Sequence, residues 1–569
     1  MQGIHQKYIT ETYDEKGALA SFHLHVPENF NFAYDVVDEM ARLEPGKTAM
    51  VWCGPDGEER RFTFLDLKNY SDRTAVFFMK EGIRKGDFVM LALRRHCEFW
   101  FSILALHKIG AVAVPAAVSL TAKDLEYRFR SAGVKAIVCT ATGQISDAAD
   151  QAAAKVPSLT CKILVNGEKS GWVSFAEGLE AAKEPFIRPE TPFHVTDPML
   201  MYFTSGTSAQ PKMVLHDFSY PLAHIVTAKH WQHVDPNGLH LSVADTGWGK
   251  AAWGKLYGQW LMEAAIFVYD FDEFYPDDLL SKMEKYRITT FCAPPTVYRY
   301  FIKLGMDGYD LSSLKYATTA GEALNPEVYA QFQKMTGLKL MEGYGQTETT
   351  LTIGNLFGTE PKPGSMGKPS PLYNIDLVDT EGNSLQPGEV GEIVVRPPQD
   401  GGRQAGLCTG YYRNPELTAA SWRDGVFHTG DTARRDKDGC FWYVGRIDDL
   451  IKSSGYRISP FEIESVLMEH PAVLECAVTG IPDSRRGQAV KASVVLTQKY
   501  SPSRELAAKL RMFVKRQTAD YKCPRVIDFV DNLPKTISGK IRRVAIREKD
   551  SSTGPAHTGK NSFFRKRLG

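Results

Sequence analysis

Short apolar, β-branched runs recur along the first third of the chain, separated by helix-length stretches where apolar residues return every three or four places. FVMLAL (88–93), GAVAVPA (110–116), KAIVCTA (135–141) and CKILVN (161–166) are the clearest. Strands spaced by helices predict βαβ units on a parallel sheet. The longest apolar stretch, about Leu104 to Leu120, is broken by His107, Lys108, Gly110 and Pro115. It predicts a buried helix, a turn and a strand in place of a membrane span. Between about 371 and 396 the pattern changes to alternation around the turn signals DTEGN and QPGEVG, predicting a hairpin-rich β segment. After Gly445 a new unit begins, with helix then strands in FEIESVLMEHPAVLECAVTGIPD and KASVVLTQKY.

At 569 residues the chain has room for about three or four packing units of roughly 150 residues, and needs no disulfide or metal to hold a core. Hydrophobic residues at 43% and charged residues at 24% exclude collagen, coiled coil and wholesale disorder. Lys plus Arg number 68 against 67 for Asp plus Glu, a formal +1, so no nucleic-acid or membrane-surface partner is implied. The opening MQGIHQKYITETYDEKG lacks the apolar core of a signal peptide, and Glu11, Asp14 and Glu15 break the basic character of a transit peptide. Nine cysteines without a CxxC pair point to free thiols in a reducing compartment and away from zinc. A cytoplasmic protein is expected. The end from about 551, closing on FFRKRLG, reads as a flexible basic tail.

Several segments carry candidate chemistry. In YFTSGTSAQPK (202–212), an apolar run enters a loop of Thr204, Ser205, Gly206, Thr207, Ser208, Ala209, Gln210, Pro211 and Lys212. Such a loop can wrap phosphate oxygens: Gly206 lets the backbone come close, hydroxyls and N–H groups donate, and Lys212 adds charge. It lacks the GKS or GKT ending of a Walker A loop, and an ordinary polar turn is the competing reading. In EGYGQTE (342–348), Gly343 and Gly345 around Tyr344 allow a flat ring against backbone, and Glu348 offers the hard oxygen Mg2+ prefers. A glycine-rich turn before a helix capped by Thr347 would look the same. Just upstream, AGEA (320–323) ends an apolar strand where backbone can approach a ligand. HTGD (428–431) sets Asp431 after a glycine turn, suited to a ribose diol, and Arg446 in WYVGRIDDLIK can pair with phosphate. PKTISGK (534–540) places Lys540 on a glycine turn, which a solvated surface lysine would also explain.

Together and in this order, TSGTSAQPK, EGYGQTE, HTGD, GRIDDLIKSSGYR and PKTISGK resemble the adenylate-forming superfamily of acyl- and aryl-CoA synthetases, peptide-synthetase adenylation domains and luciferases, over roughly residues 30–550. The stretches ADTGWGKAAWGKLYGQW (244–260), APPTVYRYF (293–301) and HPAVLECAVTGIPDSRRGQAVKA (470–492) look like its medium-chain acyl-CoA synthetase branch. The resemblance implies an α/β fold. A large N-terminal adenylation domain (1–445) of parallel α/β sheets, with a small β-barrel subdomain at about 365–440, precedes a hinge at 446–449. A small mobile α+β lid domain (450–550) and the tail (551–569) follow.

The implied reaction has two steps. A carboxylate attacks the α-phosphorus of ATP and expels pyrophosphate, and the thiol of coenzyme A then displaces AMP from the acyl-adenylate. Two anions meet in the first step, so positive charge is needed at the α-phosphate. The resemblance gives that role to Lys540, with Lys212 and the hydroxyls of Thr204 to Ser208 on the pyrophosphate end and Thr347 on the α-phosphate. It gives Mg2+ to Glu348 and the rest of the nucleotide to Gly321, Glu322, Glu342, Gly343, Tyr344, Gly345, Gln346, Asp431 and Arg446. Asp448 is the implied pivot. Ser454, Gly455, Tyr456 and Arg457 would line the coenzyme A tunnel, with Arg486 and Lys515 on its phosphates. Trp248, Tyr257, Trp260 and Gly345 are the candidate walls of the acyl pocket, although the spacing of aromatics at 253, 257 and 260 also suits plain core packing.

Two departures stand out. Ser208 and Ala209 replace the family's usual Thr-Gly, removing a flexible glycine. Gly345 stands where acetate-specific members carry a Trp, which weighs against acetate and toward short or medium-chain, branched or aromatic acids. Three rivals remain: loading of a carrier protein, a non-catalytic nucleotide-binding regulator on the same fold, and a kinase-like phosphotransferase. The regulator reading predicts loss of Lys540, Glu348 or Lys212, and all three are present. Reversal in the ATP-forming direction, a homodimer and control by acetylation of Lys540 are admitted but not implied.

Overall fold

The computed structural model describes residues 3–15, 17–190, 193–204, 210–398, 401, 404–535 and 540–552. Contacts divide the chain into one unit of residues 1–375 and 395–427 and another of 376–394 and 428–569. The β-rich stretch expected inside the large domain is therefore divided: 365–375 and 395–427 cluster with the first unit, and 376–394 and 428–440 with the second.

The first unit holds two large sheets and a two-stranded one of Ile9–Tyr13 and Leu19–Leu24. In the eight-stranded sheet the order is 410–411, 212–217, 198–204, 112–115, 88–92, 136–140, 161–165, 173–174. The strands predicted from the apolar runs, Phe88–Ala92, Val112–Pro115, Ala136–Thr140 and Cys161–Val165, pair in parallel within it. The first three are buried along their whole length, as strands covered on both faces must be, and Cys161–Val165 is buried except at Lys162. The predicted helix, turn and strand around Leu104 are Glu98–Ile109, Gly110 and Val112–Pro115. Gly110 closes the helix in the left-handed region at φ 81°, where a side chain would also strike the Phe193 ring. In the nine-stranded sheet, Leu340–Tyr344, Tyr316–Ala320, Thr290–Ala293, Leu239–Ser242, Ala265–Tyr269 and Thr48–Cys53 run side by side in parallel.

The second unit starts from a five-stranded sheet in which Val426–Arg435 pairs antiparallel with Phe441–Arg446, setting Asp431 opposite Arg446. It continues into a second five-stranded sheet dominated by the antiparallel ladder of Val473–Asp483 and Gly487–Leu496. Helices Pro460–Met468, Arg504–Gln517 and Arg543–Ser552 complete it, matching the α+β expectation. All nine cysteines are buried and free. Among the described residues no helix is long and apolar enough to cross a membrane. The tail beyond Ser552 lies outside the described residues.

Candidate nucleotide and acyl site

The loop expected to hold phosphates leaves one sheet strand and returns on the next. Pro198–Thr204 and Lys212–Asp217 form an antiparallel hairpin that sets Thr204 opposite Lys212. Ser205, Gly206, Thr207, Ser208 and Ala209 lie outside the described residues. Of the remainder, Gln210 is exposed and the Pro211 carbonyl accepts the Tyr127 hydroxyl at 3.1 Å. Lys212 is half-buried, with its ammonium 5.1 Å from the centre of the Tyr411 ring. It also lines a cavity of about 300 Å3 with Tyr127, Tyr411, Tyr412 and Arg413.

The second motif stands beside this hairpin. His216 is fully buried, and desolvation pushes its pKa down to about 4, so the ring is neutral at physiological pH. Its Nε2 lies 2.8 Å from the Thr347 carbonyl, an acceptor, which puts the ring hydrogen on Nε2. Glu348 is held twice: its carbonyl accepts the Cys408 N–H at 2.7 Å, and its Oε1 accepts the Tyr411 hydroxyl at 2.9 Å. Lys212, Thr347 and Glu348 are thereby gathered into one neighbourhood.

The glycines of this motif do a different job from the one expected. A Cβ on Gly343 would lie 2.6 Å from the Trp231 ring, and one on Gly345 would lie 2.4 Å from both the Trp253 ring and the Thr350 carbonyl. The space they leave is filled by the protein's own tryptophans. Tyr344 between them and Gln346 after them are half-buried, and the Gln346 N–H donates to the Thr349 hydroxyl at 3.0 Å. Glu342 is 3% exposed, and burial raises its pKa to about 8. Its Oε1 accepts the Leu324 N–H at 3.1 Å, so it braces the 321–324 turn from inside the sheet. Gly321 in that turn has φ 98°. Glu322 Oε2 accepts the Thr296 hydroxyl at 2.9 Å.

Lys250, a residue outside the motifs, donates to the Ala320 carbonyl at 2.5 Å and lies within 4 Å of where a Gly321 side chain would start. A Cβ on Gly249 would meet the Thr347 methyl at 3.4 Å, so the 245–250 loop adjoins both nucleotide motifs. That loop is anchored by Asp245, which accepts the Gly247 N–H at 2.9 Å and pairs with Arg95 at 3.1 Å. Trp248 is half-buried on it.

Of the proposed acyl walls, Trp260 is a core residue. It is fully buried, donates its Nε1 hydrogen to the Ala49 carbonyl at 2.9 Å, and packs against Phe32 and Phe64. The core-packing reading of the helical spacing at 253, 257 and 260 therefore holds for Trp260. Tyr257 is also fully buried, between Phe32, His107 and His224. Trp253, which abuts Gly345, is 6% exposed and meets Trp231 edge to face at 6.1 Å.

In the second unit, Asp431 is 5% exposed and takes the Tyr443 hydroxyl at 3.2 Å, with the Arg446 guanidinium 3.7 Å away. Glu392, a further residue the motifs do not flag, holds the HTGD turn by accepting the Gly430 N–H at 3.0 Å and pairing with His428 at 2.9 Å. Arg446 also reaches Asp448 at 3.4 Å. The next residue, Asp449, is bound by Arg547 at 2.6 Å and faces Arg543 at 3.7 Å. Arg543 in turn grips the buried Glu464 at 2.6 Å. Ser454 and Gly455, at φ 51° and 85°, form the two-residue turn between Ile451–Ser453 and Tyr456–Ile458. The Ser454 N–H donates to the Arg486 carbonyl at 2.9 Å, which brings Arg486 to this turn. Tyr456 stacks on Tyr521 at 4.1 Å, Arg457 is exposed, and Lys515 pairs with Asp520 at 3.5 Å. Lys540 is exposed, beside the bridge that joins Lys535 to Ile541.

Comparison with known proteins agrees with this architecture. The model of the AMP-binding enzyme family matches residues 37–412, and that of the AMP-binding enzyme C-terminal domain matches residues 462–540. The human protein named acyl-coenzyme A synthetase ACSM3, mitochondrial, is 40% identical over 94% of this chain and 92% of its own length. The human protein named acyl-coenzyme A synthetase ACSM5, mitochondrial, is 42% identical over 92% of this chain and 91% of its own. Among solved structures, the anthranilate CoA ligase AuaEII, in complex with anthranoyl-AMP, superposes with a TM-score of 0.85 at 28% identity, covering 93% of this chain and 98% of that one. The benzoate CoA ligase from Burkholderia xenovorans LB400 gives 0.79 at 27%, covering 91% and 100%. The chain belongs to the AMP-binding enzyme family.

Proposed function

We propose that this protein is an AMP-forming acyl-CoA synthetase, an acid–thiol ligase that joins a short or medium-chain carboxylic acid to coenzyme A at the expense of ATP. The observation that carries the reading is the gathering of Lys212, Thr347 and Glu348, far apart in sequence, around one hairpin end. The pyrophosphate end of ATP would be held by Lys212 and the hydroxyls beginning at Thr204, the ribose by Asp431, and the phosphates also by Arg446. Lys540, a flexible point charge, would steady the carboxylate and the α-phosphate as negative charge builds between them. Rotation at Asp448 would then replace it with the thiol path lined by Ser454 to Arg457, with Arg486 and Lys515 on the phosphates of coenzyme A.

Among the described residues no group of three or more His, Cys, Asp and Glu could hold a metal alone. A single half-buried carboxylate fits Mg2+, which keeps several waters and takes further ligands from substrate phosphates. Glu348 is that carboxylate, and the ion when bound would neutralise phosphate charge. Trp253, Trp248 and Tyr257 are our reading of the acyl-pocket surroundings, with Trp253 taking the place beside Gly345 that a larger residue would fill. Cytoplasmic location, which the names of the two human relatives do not share, is our reading, and cell fractionation checks it. Light scattering and mass spectrometry likewise check a homodimer and acetylation of Lys540, which would remove its charge.

The test is pyrophosphate and AMP release with ATP and Mg2+ across acetate, propionate, 2-methylbutyrate, hexanoate, octanoate and benzoate, with and without coenzyme A. Sustained turnover that requires coenzyme A and peaks at about four to eight carbons is expected; each methylene is worth ~1–3 kcal/mol, so neighbouring acids should also react. Best activity on acetate would overturn the pocket reading. ATP binding without turnover of any acid would leave the regulatory alternative.

A further inference from the structure

Tyr411 lies 63 residues beyond Glu348 and belongs to none of the motifs, yet it touches both charged groups of the pyrophosphate end. Its backbone is registered on the Lys212 strand: Gly410–Tyr411 pairs antiparallel with Val214 and Leu215, and the next N–H, from Tyr412, donates to the Met213 carbonyl at 2.8 Å. Three residues earlier, Cys408 donates its N–H to the Glu348 carbonyl at 2.7 Å. One short segment therefore fixes the backbones that carry both Lys212 and Glu348.

The side chain completes the arrangement. Tyr411 is 6% exposed; its hydroxyl donates to Glu348 Oε1 at 2.9 Å and its ring centre lies 5.1 Å from the Lys212 ammonium. Donation to one carboxylate oxygen leaves the other for a cation. The ring face attracts the ammonium without neutralising it. Left to themselves, an ammonium on the strand Lys212–Asp217 and a carboxylate on the turn after Leu340–Tyr344 would close on each other in a half-buried site and be lost to phosphate and metal. Among the described residues no ion pair joins Lys212 to Glu348.

We propose that Tyr411 is a positioning residue for adenylation: its hydroxyl aims Glu348 and its ring face receives Lys212, so a neutral spacer keeps the two charges ready for metal and pyrophosphate. The proposal rests on the reading of Lys212 and Glu348 given above.

The test compares wild type, Tyr411→Phe and Tyr411→Leu, each checked by thermal melting. Binding of Mn2+, a spectroscopic substitute for Mg2+, is followed by electron paramagnetic resonance in the presence of ATP without acid. Tyr411→Phe keeps the ring and should weaken Mn2+ binding about tenfold, the low end of what loss of a supporting hydrogen bond costs a metal site. Transfer from synthetic acyl-adenylate to coenzyme A should be unchanged. Tyr411→Leu should additionally weaken inhibition by pyrophosphate, as should Lys212→Ala. In a Glu348→Gln background, Tyr411→Phe should add nothing to the loss of Mn2+ binding. Wild-type Mn2+ binding by Tyr411→Phe, equal losses in both half-reactions, or an additive effect with Glu348→Gln would each overturn the proposal. A wild-type protein that binds Mn2+ with ATP but exchanges pyrophosphate with no acid would sink the synthetase reading instead, while the Mn2+ comparison would still decide the role of Tyr411.

Discussion

Gly345 in the first unit and Gly455 in the second stand in motifs that read alike, a glycine next to a tyrosine. Gly345 has backbone torsions open to any residue but no space: a Cβ would sit 2.4 Å from the Trp253 ring and from a backbone oxygen. Gly455 has open space around it but a φ of 85°, which side chains rarely adopt. The surroundings differ in the same sense. Around Gly345 the site is shaped by packed tryptophans and by titratable groups kept neutral. The hinge side of the second unit is shaped by turns and paired charges. A glycine in a motif announces that a side chain is excluded; only the fold says whether shape or torsion excludes it.

The sharpest way to separate the two regions is acid. Burial lowers the pKa of His107, His224 and His240 to about 3 and of His216 to about 4, all in the first unit. Their unfolded value is near 6.5, so the unfolded chain binds more protons between pH 6.5 and 4. Stability is full above pH 6.5 and falls as pH drops through that window, by about 1.4 kcal/mol per pH unit for each histidine. Several kcal/mol should be gone by pH 5, seen in urea melts followed by tryptophan fluorescence. The second unit, where the described histidines are His428 and His470, should melt later in the same series.

Next in size is the charge network. Arg543→Leu leaves Glu464 buried and unpaired, which should destabilise the second unit by ~3–5 kcal/mol. Hydrogen exchange along Pro460–Met468 reads this directly, and the first unit should not respond. Gly345→Ala should cost ~1–3 kcal/mol through overpacking, with relief when Trp253 is shortened in the same chain. Gly455→Ala should cost about 1 kcal/mol, and Gly455→Asn less because Asn tolerates the left-handed region. If Gly345→Asn proved as mild as Gly455→Asn, the contrast between space and torsion would fail.

Local pattern carried the strands at 88–92, 112–115, 136–140 and 161–165, because burial on both faces writes a continuous apolar run. It also carried the motifs, since phosphate and metal chemistry restricts residue types over a few consecutive positions. What it could not carry was partnership across the sheet. Tyr411, Lys250 and Trp253 reach the site through strand pairing and loop contacts; the last two lie in the 244–260 stretch that the resemblance singles out, but nothing near Tyr411 in sequence announces its partners. Trp260 shows the converse: it is a candidate pocket wall whose spacing already suited a core helix face, and its hydrogen bond to Ala49 identifies it as core. Asp449 takes both its arginines from the distant helix Arg543–Ser552, a pairing no local pattern carries.

The most direct test of the central claim follows one oxygen. The preferred acid, labelled with 18O in its carboxylate, is turned over with ATP, Mg2+ and coenzyme A, and the products are analysed by mass spectrometry. An acyl-adenylate requires one labelled oxygen to remain on each AMP, with none in pyrophosphate, because the carboxylate oxygen attacks the α-phosphorus and leaves with AMP. Label in phosphate or pyrophosphate, or unlabelled AMP, would contradict the account.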